Sequence, residues 1–156
     1  MASAEFLVER STVIDASPDV VQPLLDDFRK WQAWSPWEDV DPDLKRTYSG
    51  PDSGVGASYA WEGNRKAGSG QMVITESVPG SKVVLDLNFL KPFKAENVTT
   101  FLLEPNGAGT TVRWQMTGKN NLFFRIVGVV FPMDKMVGKD FEKGLAQLKA
   151  AAEQRQ

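Results

Sequence analysis

The middle of the chain alternates between apolar and polar positions with a period of two, which predicts β-strands. Within residues 83–89 the odd-numbered positions are all apolar, whereas the even-numbered positions include Asp86 and Asn88. The same alternation recurs in residues 112–116. The pattern therefore predicts a sheet with one face packed on a core and one face in water.

Six segments with strand character follow one another between about residues 44 and 118, each 7 to 10 residues long. They read DLKRTYS, GASYAWEG, SGQMVITESV, SKVVLDLNFL, AENVTTFLLE and TTVRWQMTG. The stretches between them (PDSGVG, NRKAG, PG, KPFK and PNGAG) have the composition of turns. Connections this short favour antiparallel pairing between neighbouring strands.

The N-terminal part of the chain predicts one strand and a short helical region. Residues 5–14, EFLVERSTVI, read as the first strand. Ser17 is a favourable N-cap residue, and Pro18 suits the first helical position. Pro23 lies inside the helical pattern, so we expect it to kink the helix or to split it into two short helices.

The C-terminal segment, residues 132–154, predicts a long amphipathic helix. Its apolar stripe has a period of 3.6 residues and consists of Val137, Phe141, Leu145, Leu148 and Ala152. Lysines 135, 139 and 143 lie opposite this stripe.

Two glycines, Gly138 and Gly144, lie on the apolar stripe of the same helix. Each interior glycine costs about 1 kcal/mol relative to alanine. Their positions indicate that something comes close to the helix backbone, either the sheet or a ligand.

These elements predict a single α+β domain, residues 1–156, with a helix-grip fold. About seven antiparallel strands would form a curved sheet around the long C-terminal helix, and two short helices would follow the first strand. One helix does not fill the concave side of such a sheet, and the volume left over is a natural pocket for an apolar ligand.

Composition excludes several classes of chemistry. The chain has no cysteine and no histidine. Disulfides, thiolate metal sites and a Ser-His-Asp triad are therefore excluded. A magnesium or calcium site made of carboxylates alone stays open, but the sequence has no EF-hand or similar acidic loop, so no metal or other cofactor is expected. The formal charge of −2 and the lack of a basic block argue against nucleic acid as a partner.

The apolar content of the chain does not predict membrane insertion. The longest apolar stretch, residues 122–131, is about half of a membrane span and contains Arg125. It predicts a short helix over the pocket mouth or, alternatively, a patch that exchanges ligand with a membrane or a partner protein. The N-terminus lacks the pattern of a signal peptide, so a cytoplasmic location is expected; the choice between monomer and dimer stays open.

The chain resembles the SRPBCC or START-like superfamily of polyketide cyclases, dehydrases and lipid-transfer proteins. The resemblance rests on ASPDVVQPLLDDFRKWQAWSPWEDVDP, on GVGASYAWEGNRKAGSGQMVITES, and on GTTVRWQMTG with MDKMVGKDFEKGLAQLK. It covers about residues 5–150, and the subgroup that this chain resembles most consists of small, largely uncharacterised bacterial proteins. It implies the helix-grip fold more specifically than any one activity.

The resemblance also implies which residues contact a ligand. The expected ligand-binding residues are Trp34, Trp37, Tyr59, Trp61, Phe93, Phe101, Trp114, Met116, Val137, Phe141 and Leu145. They would line the cavity from the sheet, from the C-terminal helix and from the segments at its mouth.

Apolar burial alone predicts only weak binding in such a cavity. A ligand that buries roughly 300 Å² gains about 7 kcal/mol at ~25 cal/mol per Å², whereas association costs about 4 to 15 kcal/mol. Tight binding therefore needs polar anchors. The candidates are Glu38, Glu62, Gln71, Glu96 and Asn97, of which Glu62 should face away from a cavity that Trp61 lines.

Three functions remain open on the sequence. The preferred one is a carrier or sensor of a small lipid-like, isoprenoid-like, polyketide or aromatic molecule. The second is a cyclase, dehydratase or hydrolase; without histidine its acid–base groups would be Tyr59, a weak catalytic candidate, and a buried carboxylate. The third is a protein-interaction module of the toxin or chaperone-activator type, with a solid interior and an exposed aromatic patch.

Three tryptophans at three-residue spacing, Trp31, Trp34 and Trp37, follow the helical region. Pro36 restricts Ser35 to extended geometry, so a helix that carries the first two should end there. We expect Trp31 in the core and Trp37 in the cavity wall, with Trp34 in either place.

Overall fold

Seven antiparallel strands form one open sheet in the computed structural model, which describes residues 5–35, 43–64, 68–91, 95–119 and 133–154. The strands are β1 (Glu5–Ile14), β2 (Lys45–Ser49), β3 (Ser58–Glu62), β4 (Ser69–Val78), β5 (Lys82–Lys91), β6 (Ala95–Asn106) and β7 (Gly109–Lys119). Their order across the sheet is β1-β7-β6-β5-β4-β3-β2, so β1 and β2 are the edge strands. The predicted strands are confirmed, and β4 coincides with its predicted segment.

Helical structure precedes and follows the sheet. Helix α1 (Pro18–Leu25) has Ser17 as its N-cap residue, and a 3₁₀ helix (Phe28–Ala33) follows it. The long C-terminal helix α2 spans Met133–Glu153. Pro23 lies inside α1, which ends two residues later, so the predicted division into two short helical pieces is confirmed.

The sheet has a buried inner face and a wetter outer face, as the alternation predicts. On β5, Val83 and Leu85 are fully buried, whereas Asp86 is exposed. On β7, Trp114 and its alternating apolar neighbours are buried, whereas Arg113 is exposed. Helix α2 lies on the inner face, where Phe141, Leu145, Leu148 and Ala152 are buried.

Two contacts fix α2 along the edge strand β1. Near the start of the helix, the guanidinium of Arg10 lies against Gly138, since a Cβ added there would be 2.6 Å from the Arg10 Cζ atom. The Arg10 Nε atom also donates to a carboxylate oxygen of Glu142 at 3.0 Å. Of the two alternatives for Gly138, sheet or ligand, the sheet therefore applies.

At the other end of α2, the Asp15 backbone N–H donates to the Glu153 carboxylate at 2.9 Å. A hydrogen bond from Lys149 and this backbone N–H lower the pKa of Glu153. Arg10 lies on β1 and Asp15 directly after it, and they contact Gly138 and Glu153 of α2, respectively. The helix and the strand therefore run in the same direction.

Gln22 attaches α1 to the sheet. Its side chain is buried, donates to the Val78 carbonyl at 3.1 Å and accepts from the Gly80 backbone N–H, so it bonds both sides of the β4–β5 turn. Because buried polar groups are costly unless hydrogen-bonded, these bonds specify where α1 sits over the sheet.

Candidate ligand-binding site on the inner sheet face

One end of the inner face is filled by aromatic rings. This filled end consists of Trp34, Phe101, Trp114 and Phe141, each of which is at most 1% exposed. The rings of Trp114 and Phe141 stack with centroids 4.0 Å apart, and the Trp34 ring meets that of Trp114 edge-on at 5.4 Å. Phe101 completes the cluster at 5.1 Å from Trp114. Side chains in such mutual contact form a packed core.

The tryptophans that follow α1 also complete the hydrogen bonding of that helix. The last carbonyls of a helix have no partner within it. The indole N–H of Trp34 donates to the Leu24 carbonyl at 2.7 Å, and that of Trp31 donates to the Leu25 carbonyl at 2.9 Å. The prediction of Trp31 as a core residue is confirmed, and Trp34 is buried in the core as well.

The other end of the inner face is less completely covered. Trp61, Leu87 and Phe89 point to the inner side there, yet all three are only half-buried. The Trp61 ring lies over Gly70, where an added Cβ would be 2.6 Å from the Trp61 Cη2 atom, and meets Phe89 edge-on at 5.7 Å. We call these three residues the half-buried end; they form an apolar surface of the kind that a hydrophobic ligand covers.

A buried amide lies beside the half-buried end. Asn97 is 5% exposed and faces inward, between Leu87 on β5 and Gly118 on β7. Among the described residues, its Oδ1 atom has no hydrogen-bond partner. Of the other predicted anchors, Glu62, Gln71 and Glu96 are exposed, and Glu38 lies outside the described residues.

Tyr59, the weak catalytic candidate, is buried on the inner face next to the half-buried end. Its ring stacks on Tyr48 at 5.3 Å and lies 5.9 Å from that of Phe28. Within the part of the chain that the structure describes, no Asp or Glu is buried. Burial, reinforced by the charge of neighbouring Asp27, raises the pKa of Asp26, but that carboxyl is only partly buried.

The structure brings most of the predicted ligand-binding residues to one face, although at different depths. The following are buried on the inner side or on α2: Trp34, Tyr59, Phe101, Trp114, Met116, Phe141 and Leu145. Trp61 is half-buried. Trp37, Phe93, the 122–131 segment and the side chain of Val137 lie outside what is described. Their contact with a ligand stays a prediction.

The inward direction of two residues was not predicted: Asn97 was a candidate anchor without an assigned direction, and Arg10 was not a candidate. The inward direction of Asn97 follows from that of Phe101, because residues four apart on a strand share a face. Arg10 was harder to place, because a charged residue on an edge strand ordinarily points to water. Its inward direction is indicated only by a residue in another segment, Gly138, against which the Arg10 guanidinium packs.

A surface cleft of about 430 Å³ lies away from these residues, between the end of the 3₁₀ helix and the end of α2. It is lined by Ala33, Gln147, Ala150, Ala151 and Gln154. It includes none of the predicted ligand-binding residues, and its lining offers only small apolar groups and amides.

Other kinds of site find little support in the described ranges. These ranges hold no cluster of acidic side chains that could bind a metal ion. Within the same ranges, no helix has the length and apolar content needed to cross a membrane.

The comparison with known families gives a direct result. The family model for polyketide cyclase / dehydrase and lipid transport matches residues 5–153. The match spans nearly the whole chain, so the protein belongs to this family. No curated protein matches the sequence.

Solved structures share the fold at low sequence identity. Protein CV1439 from Chromobacterium violaceum has a TM-score of 0.68 at 18% identity and covers 94% of this chain and 96% of that one. DynU16, from the dynemicin biosynthetic locus, has a TM-score of 0.65 at 14% identity and covers 94% of this chain and 47% of its own. The Aha1 dimer from Colwellia psychrerythraea has a TM-score of 0.53 at 19% identity, with coverages of 90% and 98%. At these identities the likeness shows the fold alone.

Proposed function

We propose that the protein binds a small hydrophobic or amphipathic molecule between the inner sheet face and α2, as a carrier or sensor. The site would be the half-buried end, with Tyr59 and Met116 beside it. The rings of the filled end would form its floor. The family of the chain, which includes lipid transport, supports this function.

The observation that carries the proposal is the contrast within one continuous face. Successive inward residues of β5 change from fully buried, at Val83 and Leu85, to half-buried, at Leu87 and Phe89. If this face served only as part of the core, covering it further would stabilise the fold by about 25 cal/mol for each Å² of apolar surface removed from water. An apolar ligand would supply that cover.

Binding is favoured over the two other functions. An enzyme that uses Tyr59 and a buried carboxylate lacks such a carboxylate in the described ranges. An interaction module calls for exposed aromatic residues, but the large apolar side chains exposed in the described ranges are aliphatic. They are Leu7, Val13, Val55, Val78, Leu90 and Val98.

A substitution that adds bulk to the proposed site tests the proposal. Gly118 lies on the inner face opposite Asn97, and its φ angle is not in the left-handed region. We expect Gly118→Leu to weaken binding of the neutral fluorophore Nile red at least tenfold, with the circular dichroism spectrum unchanged. Thr117→Leu, on the exposed outer face of the same strand, is the matched control.

A second measurement asks which molecule is bound. Native mass spectrometry of freshly purified protein should reveal a co-purified small molecule that Gly118→Leu no longer retains. Wild-type protein that neither carries such a molecule nor binds Nile red would contradict the proposal. If Gly118→Leu does not fold, Gly118→Val makes the same test with a smaller side chain that suits a strand.

A further inference from the structure

Asn97 contributes a buried amide to the inner sheet face, and its hydrogen bonding is incomplete among the described residues. Its Oδ1 atom is buried and accepts no hydrogen bond there. The inward residues in register with it on β5 and β4 are Leu87 and Met72, and its partner on β7 is Gly118, which has no side chain.

A buried acceptor without a partner is costly, and native proteins contain few of them. An apolar residue of similar size, such as leucine, would suit this position better if packing alone decided it. Local rules of this kind are broken mainly at functional sites. The amide at position 97 therefore indicates a ligand that supplies the missing partner.

We propose that Asn97 anchors the polar end of the ligand and selects molecules that end in an uncharged hydrogen-bond donor, an alcohol or a phenol. This inference rests on the proposed function, because it needs a ligand on the inner face. A carbonyl oxygen such as Oδ1 only accepts hydrogen bonds, so its partner must carry an O–H or N–H group.

The charges on the inner face argue against a carboxylate or phosphate as that polar end. A buried anion needs a cation or several hydrogen bonds beside it. Arg10, on the edge strand β1, lies opposite Trp114 and is bonded to Glu142. Arg46, on the other edge strand, is four strands from β6, roughly 19 Å at the usual strand spacing. In register with Asn97, the described inward residues are uncharged.

Competition between ligands of equal chain length tests the selection. Nile red bound to the protein is displaced by dodecan-1-ol, by methyl dodecanoate and by dodecanoate. We expect wild-type protein to favour the alcohol over the other two by about fivefold to tenfold, as one net hydrogen bond implies. We expect Asn97→Leu to remove that preference. Comparing the ratio of midpoints between variants cancels differences in ligand solubility.

Asn88→Leu is the matched control, since Asn88 lies on the neighbouring strand with its side chain on the outer face. It should keep the preference for the alcohol. If Asn97→Leu does not fold, Asn97→Ala removes the same acceptor.

Three results separate this inference from the proposed function. Equal displacement by alcohol and ester, or an alcohol preference that survives in Asn97→Leu, would overturn the role of Asn97 while ligand binding stands. A preference for dodecanoate that Arg46→Gln abolishes would overturn it as well and would place the anchor on β2. Wild-type protein that binds no Nile red would contradict the proposed function, and the inference would fall with it.

Discussion

The two ends of the inner sheet face place the same kinds of residue in different surroundings. At the filled end, aromatic rings from the sheet, from α2 and from the segment after α1 contact one another and exclude solvent. At the half-buried end, rings of the same size leave part of their surface exposed. Aromatic content therefore does not identify a binding site; what distinguishes the two ends is whether the facing elements supply partners for the rings.

The largest effect that this comparison predicts is on stability at the filled end. We expect Trp114→Ala to lower the free energy of unfolding by about 3 to 5 kcal/mol, the usual cost of removing a large buried aromatic side chain. Urea denaturation measures it. A loss below about 1 kcal/mol would mean that Trp114 faces space rather than packed side chains, and the distinction between the ends would fail.

Trp61→Ala is the corresponding change at the half-buried end. Because this side chain is only partly buried, we expect a smaller loss of stability, about 1 to 2 kcal/mol. Nile red binding should weaken about tenfold, which corresponds to 1.4 kcal/mol. A variant that loses stability as severely as Trp114→Ala and still binds the fluorophore normally would reverse the assignment of the two ends.

Asn97→Leu should change stability in the opposite direction. It removes a buried acceptor that lacks a described partner, so we expect the protein without ligand to gain about 1 kcal/mol. For a domain of this size that raises Tm by about 2 to 4 °C. Asn88→Leu should stay within about 0.5 kcal/mol of wild type. A clear loss of stability in Asn97→Leu would show that the amide is a structural residue.

The smallest effect concerns a charge near the filled end. Burial and Asp27 raise the pKa of Asp26, whose carboxylate accepts a hydrogen bond from Ser77 of β4. A raised carboxyl pKa means that the folded state binds the proton more tightly than the unfolded state. Its contribution to stability is therefore complete at acidic pH and is lost as pH rises through the raised pKa.

Asp26→Asn removes the cost of ionising this partly buried carboxyl group. The charge that is removed also lies at the C-terminal end of α1, where a negative charge is unfavourable. We expect a gain at pH 7 of less than about 1 kcal/mol, because the carboxyl is partly solvated. The gain should vanish in acid. Thermal unfolding at both pH values measures it, and a gain that persists unchanged below the carboxyl range would point to a cause other than charge.

The sequence predicted the strands well because their periodicity is local. The 69–78 segment and β4 coincide, and the inward residues of β5 and β7 follow from alternation alone. Trp34 could not be placed in the same way, because its burial depends on a hydrogen bond to Leu24, ten residues earlier. The direction of Asn97 could have been predicted from that of Phe101. That its Oδ1 atom lacks a partner could not, because this depends on how three strands pack together in the structure.

The attachment of α2 to β1 has a mechanical consequence. Two contacts, from Arg10 to Glu142 and from Asp15, just after β1, to Glu153, hold the helix along this edge strand. We therefore expect β1 and α2 to move together as one rigid unit. Ligands of different size would then be accommodated by bending of the sheet at β2 and β3. Hydrogen exchange would show this as common, slow exchange in β1 and α2 with faster exchange in β2 and β3; the reverse order would exclude it. The range of ligand sizes would then depend on how easily β2 and β3 deform.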